Sequence, residues 1–76
     1  MSIIPALTAK KIIRALKRAG FIEDRQKGSH VILLHPITKA RAVVPVHSGK
    51  TVKKEIIHDI IVVNAKMKIE DFLKLL

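Results

Sequence analysis

Cysteine is absent from this sequence, so neither a disulfide framework nor a thiolate metal site can supplement its core. Tryptophan and tyrosine are absent as well, and Phe21 and Phe72 are the whole aromatic complement. That leaves no strand-borne platform for stacking bases in the manner of an RRM. No apolar run approaches the ~20 residues of a membrane span, and the first residues lack the apolar region of a signal peptide. The expectation is a soluble, cytoplasmic protein. Acidic side chains are scarce, six against fifteen Lys and Arg, and the imbalance is uneven. Residues 1–54 carry twelve basic and two acidic side chains, whereas residues 55–76 are nearly balanced. A one-sided excess of this kind suits a polyanion partner, because neutralising phosphates releases their counterions. A merely solubilising surface is the plainer alternative.

What is present fits one small folded unit. Nearly half of the 76 residues are apolar, which is room for one domain over 1–76 with a modest core. Thr8 is a good N-cap for a helix over Ala9–Ala19, in which Ala9, Ile12, Ile13, Leu16 and Ala19 share one side. Lys10, Lys11, Arg14, Lys17 and Arg18 occupy the opposite arc, and Gly20 suits the left-handed position that ends the helix. Three strands are predicted next: Phe21–Arg25, His30–Leu34 and Ala40–Val46. Gln26–Ser29 forms the first turn between them and His35–Lys39 the second. Pro45 has no N–H for a ladder, so the third strand belongs at a sheet edge. Lys53–Ala65 reads as a helix by the spacing of Ile56, Ile57, Ile60 and Ile61, against the strand propensity of the β-branched run Ile60–Val63. Ile69–Leu76 closes the chain as a short helix. The sum is an α+β two-layer domain of order αβββαα, a three-stranded antiparallel sheet with helices on one face.

The four histidines, His30, His35, His47 and His58, match no compact zinc motif, and no metal or other cofactor is expected. No paired carboxylates flank a cleft in the linear order, and Ser2, Ser29 and Ser48 sit in no nucleophile elbow. The turn Gly28-Ser29-His30 combines a permissive backbone, a hydroxyl and an imidazole, with Arg25 and Lys27 just before it. RNA can be cut without metal by few parts. A base takes the 2′-OH proton, an acid protonates the leaving 5′ oxygen, and cations stabilise the phosphorane. One histidine beside lysines meets that minimum, although a lone histidine at a strand start is more often a surface residue.

The run Arg25-Gln26-Lys27-Gly28-Ser29-His30, followed by His35-Pro36, resembles the signature of the HicA (YcfA-like) mRNA interferase toxins. The likeness extends to Ala19-Gly20-Phe21 ahead of it, and to Val44-Pro45-Val46-His47-Ser48-Gly49-Lys50 and Glu70-Asp71-Phe72-Leu73 behind it. It implies a dsRBD-like fold, a ribonuclease activity on mRNA, a HicB-type antitoxin as partner, and His30 as the catalytic histidine. Relatives usually have Gly-Thr where Glu55-Ile56 stands, Arg and Ser near His58-Asp59, Gly near Lys66, and a capping Ser or Thr at Lys68. These departures bear on the second half of the chain and leave the turn at His30 untouched.

Candidate RNA contacts are Arg25, Lys27, Gly28 and Ser29 at the turn, Lys10, Arg14 and Lys17 on the first helix, and Lys50 and Lys53 after the third strand. His35, His47 and His58 are read as turn or helix-surface polar groups. Alternation puts His30, Ile32 and Leu34 on one sheet face, with Val43 beside them. Relatives carry polar residues at Ile32 and Leu34, so an exposed apolar patch is expected there, covered by the antitoxin or by a second copy of the chain in a homodimer. Two other readings stay open: a non-catalytic RNA-binding module of the same fold, and a small basic DNA-binding protein, which lacks helix-turn-helix spacing.

Overall fold

The Thr8 hydroxyl accepts a hydrogen bond from the Lys11 N–H (3.4 Å) and so opens α1, Ala9–Arg18. The structure is a computed structural model and describes residues 4–76; Ser2 lies outside the described residues. Ala9, Ile12, Ala15 and Leu16 are the buried face of α1. Its end is a Schellman motif. The Gly20 N–H donates to the Lys17 carbonyl and the Phe21 N–H to the Leu16 carbonyl, both at 3.0 Å, while Gly20 adopts φ +104°. Leu16 and Phe21, joined by that bond, both sit in the core.

The sheet is an antiparallel meander of β2 (Ile22–Lys27), β3 (His30–Leu34) and β4 (Arg41–Pro45), in that spatial order. β2 runs further than the expected Phe21–Arg25, because its turn is shorter than expected. Lys27 pairs with His30, leaving only Gly28 and Ser29 in the loop. Gly28 has φ +56° and Ser29 has a negative φ, the pattern of a type II′ turn, which matches the twist of the flanking strands. Asp24 is an extra residue in β2, where the register shifts between Glu23 and Arg25. β4 lies at the sheet edge, as Pro45 requires, and each of its ends is one residue shorter than expected. The chain also makes a two-residue ladder, β1 (Leu7–Thr8) with β5 (Thr51–Val52). Strands that short carry no periodicity, so nothing in the sequence announces them.

Val31, Leu33, Ala42 and Val44 point to one side of the sheet and join Ile12, Leu16, Ile57, Ile61 and Phe72 in the core. The helices therefore cover one face, and the dsRBD-like order αβββα(α) holds. The second helix occupies the expected place with a change of winding. α2 (Lys54–His58) runs on as a π-helix over Asp59–Asn64, with the Ala65 N–H reaching the Ile60 carbonyl at 2.8 Å. Four consecutive β-branched side chains, Ile60–Val63, crowd an α-helical turn, and the wider winding relieves them. It buries Ile57, Ile60, Ile61 and Ala65 and leaves Ile56 exposed, contrary to the expected apolar face. α3 is Ile69–Leu73, shorter than the expected Ile69–Leu76.

Lys66 takes φ +58°, a left-handed conformation that favours glycine, and the Lys68 N-cap of α3 makes no side-chain capping bond. Both are local costs. Lys68 already has the extended backbone of an N-cap, so Lys68→Ser supplies the missing acceptor without rearrangement. The expected gain is about 1 kcal/mol, a rise of roughly 4–8 °C in Tm. A thermal melt with unchanged or lower Tm contradicts it.

Candidate functional site

Directly opposed residues of an antiparallel sheet share a face, so the register builds the uncovered side as three rows. Lys27, His30 and Pro45 form the row nearest the turn, Arg25, Ile32 and Val43 the next, and Ile22, Leu34 and Arg41 the last. The bulge at Asp24 keeps both Ile22 and Arg25 on this face. Three of the expected site residues, Arg25, Lys27 and His30, are thereby brought together. Arg41, which was not among the expected site residues, joins them; its parity with Pro45 and Val43 along β4 is the signal that marks it.

His30 is exposed, and its ring has no hydrogen-bond partner among the described residues. Lys27 stands opposite, with Cβ atoms about 5 Å apart for such a pair. Lys27 makes no ion pair among the described residues, whereas Arg25 donates through Nε to Asp24 Oδ2 at 2.9 Å and is partly balanced by it. The turn is held from both sides. Gln26 Nε2 donates to the Gly28 carbonyl (3.1 Å), and the Val46 N–H donates to the Ser29 carbonyl (2.6 Å). A Cβ at Gly28 would meet nothing within 4 Å, so the backbone there faces open space.

His35, the second histidine of the motif, is a different kind of residue. Its Nδ1 accepts from the N–H groups of Ile37 and Thr38, both at 3.2 Å, so the ring proton is on Nε2, 3.2 Å from the Ala19 carbonyl that accepts it. Its ring also meets Phe21 edge-on at 5.1 Å. It ties the β3–β4 turn to the end of α1. His47 lies exposed in the β4–β5 loop, and His58 lies 3.7 Å from Asp59 on the helix surface. Among the described residues no three His, Asp or Glu side chains are grouped as a metal ion would need.

The basic residues of α1 are not on the face of His30. Lys10, Arg14 and Lys17 border a groove of about 430 Å³ on the helix-covered side, whose far wall is Glu23 and Gln26 of β2. Lys17 is 3.7 Å from Glu23. Arg18 donates to the Leu75 carbonyl at 2.7 Å and so fastens the last residues to α1. Lys50 and Lys53 border neither this groove nor the rows around His30; Lys50 precedes β5 and Lys53 is the N-cap of α2. No spacing in the sequence signals the groove, because Glu23, Gln26, Ile13 and Val46 come from separate parts of the chain.

The expected apolar patch is present in part. Ile22 is 59% exposed, Leu34 is 37% exposed and Val43 is half-buried. Ile32 does lie on this face, since β3 is free of bulges, yet it is only 4% exposed and belongs to no core cluster. Placed in the middle of the middle strand, it has neighbours on all four sides, and they close it off. No helix among the described residues is long and apolar enough to cross a membrane.

Comparison with known families finds a match over residues 9–66 to the family described as HicA toxin of bacterial toxin-antitoxin. Comparison with curated proteins finds no match.

Proposed function

The chain belongs to the HicA toxin family of bacterial toxin–antitoxin systems, and from that premise we propose that it is a metal-independent endoribonuclease that cleaves mRNA with His30 as its catalytic residue. The observation that carries this reading is the His30 ring: exposed, without a hydrogen-bond partner among the described residues, and opposite a lysine that makes no ion pair among them, on the uncovered sheet face. A histidine serving structure would be bonded, as His35 is.

The chemistry is internal transesterification. His30 accepts the 2′-OH proton, or holds the proton for the leaving 5′ oxygen, with water making the other transfer, while the 2′ oxygen attacks the adjacent phosphorus. The P–O5′ bond breaks, giving a 2′,3′-cyclic phosphate and a 5′-hydroxyl. Lys27, and Arg25 with the charge that Asp24 leaves uncompensated, stabilise the phosphorane oxygens, and the Gly28 N–H is open to a phosphate. Purified protein incubated with unstructured RNA in EDTA should yield those termini. Intact RNA under those conditions would favour the RNA-binding module of the same fold.

As a toxin of such a pair, the protein works against an antitoxin. We place a HicB-type antitoxin on the uncovered face, where Ile22, Leu34 and Val43 offer apolar area beside His30; docking there would shield the histidine, and a homodimer through the same face is the competing arrangement. Ile22→Lys with Leu34→Lys should leave the fold intact, because both side chains are already exposed, and weaken antitoxin binding at least tenfold. Unchanged affinity in a titration would move the antitoxin to another surface. Sedimentation of the free protein as a dimer that the double variant dissociates would identify the second copy instead.

A further inference from the structure

We propose that the groove between α1 and β2 binds one unpaired nucleobase of the RNA strand, and that Glu23 and Gln26 select bases bearing an exocyclic amine. This rests on the RNA reading above and names what the substrate presents beside the cut.

The groove and the histidine lie on the two sides of one hairpin. Gln26 pairs with Val31 in the register step next to Lys27 and His30, and consecutive steps point to opposite faces. Among the described residues no further strand pairs with the outer edge of β2, and every residue of β2 is exposed. A single strand bending round that edge can hold a phosphate at His30 and a neighbouring base in the groove. A duplex cannot, because its bases are stacked and paired where side chains do not reach their edges.

The walls suit a base. Val31 is buried and Ile13 and Val46 are half-buried, so the floor offers apolar contact where no aromatic side chain lines the groove. A volume of about 430 Å³ lies within the range of small-ligand sites. Lys10 and Arg14 on the rim make no ion pair among the described residues and are available to the flanking phosphates.

The polar wall has directional chemistry. The Glu23 carboxylate is an acceptor only, and Lys17 stands 3.7 Å from it. The Gln26 amide is oriented by its bond to the Gly28 carbonyl, which leaves its oxygen and one N–H for a ligand. Adenine, cytosine and guanine each present an amine to such an acceptor. Uracil flanks its single N–H with two carbonyls, which a carboxylate repels.

Methyl NMR of the intact protein, titrated with AMP, CMP, GMP and UMP, tests this without requiring catalysis. The methyls of Ile13, Val31 and Val46 should shift, those of Ile32 and Leu34 should not, and UMP should bind about tenfold more weakly than the others. Glu23→Gln, an exposed and isosteric change, should bring the four nucleotides to within about threefold of one another. Equal binding of UMP to the wild type, or no shift of the groove methyls with any nucleotide, overturns the proposal. Groove shifts in a protein that leaves RNA uncut keep the base site and end the cleavage reading; cutting without groove shifts does the reverse.

Discussion

His30→Ala should slow RNA cleavage by about 10²–10⁴-fold, the usual contribution of a positioned acid or base, while the domain keeps its fold. The two halves of that expectation have separate grounds. Loss of activity comes from the chemistry, since the remaining cations can bind a phosphate but none can accept a proton from a 2′-OH near neutral pH. Retention of fold comes from the geometry. The ring is exposed and has no hydrogen bond among the described residues, and surface changes at such positions usually stay within about 0.5 kcal/mol. Single-turnover cleavage of a short RNA in EDTA reads the first half, and circular dichroism with a thermal melt reads the second. Growth arrest on expression should disappear with the activity. An alanine variant that cuts at the wild-type rate would remove His30 from the mechanism. A variant that fails to fold would mean that the ring has a packing role which its exposure denies.

Much of the fold was legible because the informative elements are locally over-determined. Thr8, the apolar spacing of α1 and Gly20 agree on the same helix, and Pro45 by itself puts β4 at an edge. What escaped was decided by tertiary contact or by winding. The β1–β5 ladder is two residues long, and the π-helix over Asp59–Asn64 uses the same residues an α-helix would. The site divides in the same way. Lys27 and His30 are close in sequence and their proximity was readable, but Lys27 was expected in the turn and not in the strand opposite His30. The distribution of cations over two faces was not, because Lys10, Arg14 and Lys17 reach β2 through packing that no spacing encodes. Exposure misled at one point: alternation put Ile32 on the uncovered face correctly, yet burial there depends on the strands to either side.

The other large effect is on stability, and it comes from the second histidine of the motif. Gly20→Ala should cost about 2–4 kcal/mol, or roughly 10–30 °C in Tm for a domain of this size. Two penalties combine. Gly20 holds φ +104°, where an L-residue is strained by about 1–2 kcal/mol. A Cβ there would also stand 2.8 Å from His35 Nε2. The end of a side chain can often yield, but this imidazole is held by bonds to Ala19, Ile37 and Thr38 and by the edge of Phe21. Displacing it breaks the tie between α1 and the β3–β4 turn, with each lost bond worth about 1 kcal/mol. His35→Ala alone should cost about 1–2 kcal/mol, because the freed Ile37 and Thr38 N–H groups are exposed and water replaces the ring. The double variant isolates the clash. With the ring gone the new methyl has room, so its cost should fall short of the sum of the single changes by about 1 kcal/mol, and strict additivity would refute the contact. Cleavage adds a second reading. Below its lowered Tm, His35→Ala protein should cut RNA within a few-fold of wild type, since its ring bonds to backbone on the helix side of the turn rather than standing free among the cations of the uncovered face. Loss of cleavage in a folded His35→Ala variant would make both histidines of the motif chemical, and the division of labour drawn between them would fail.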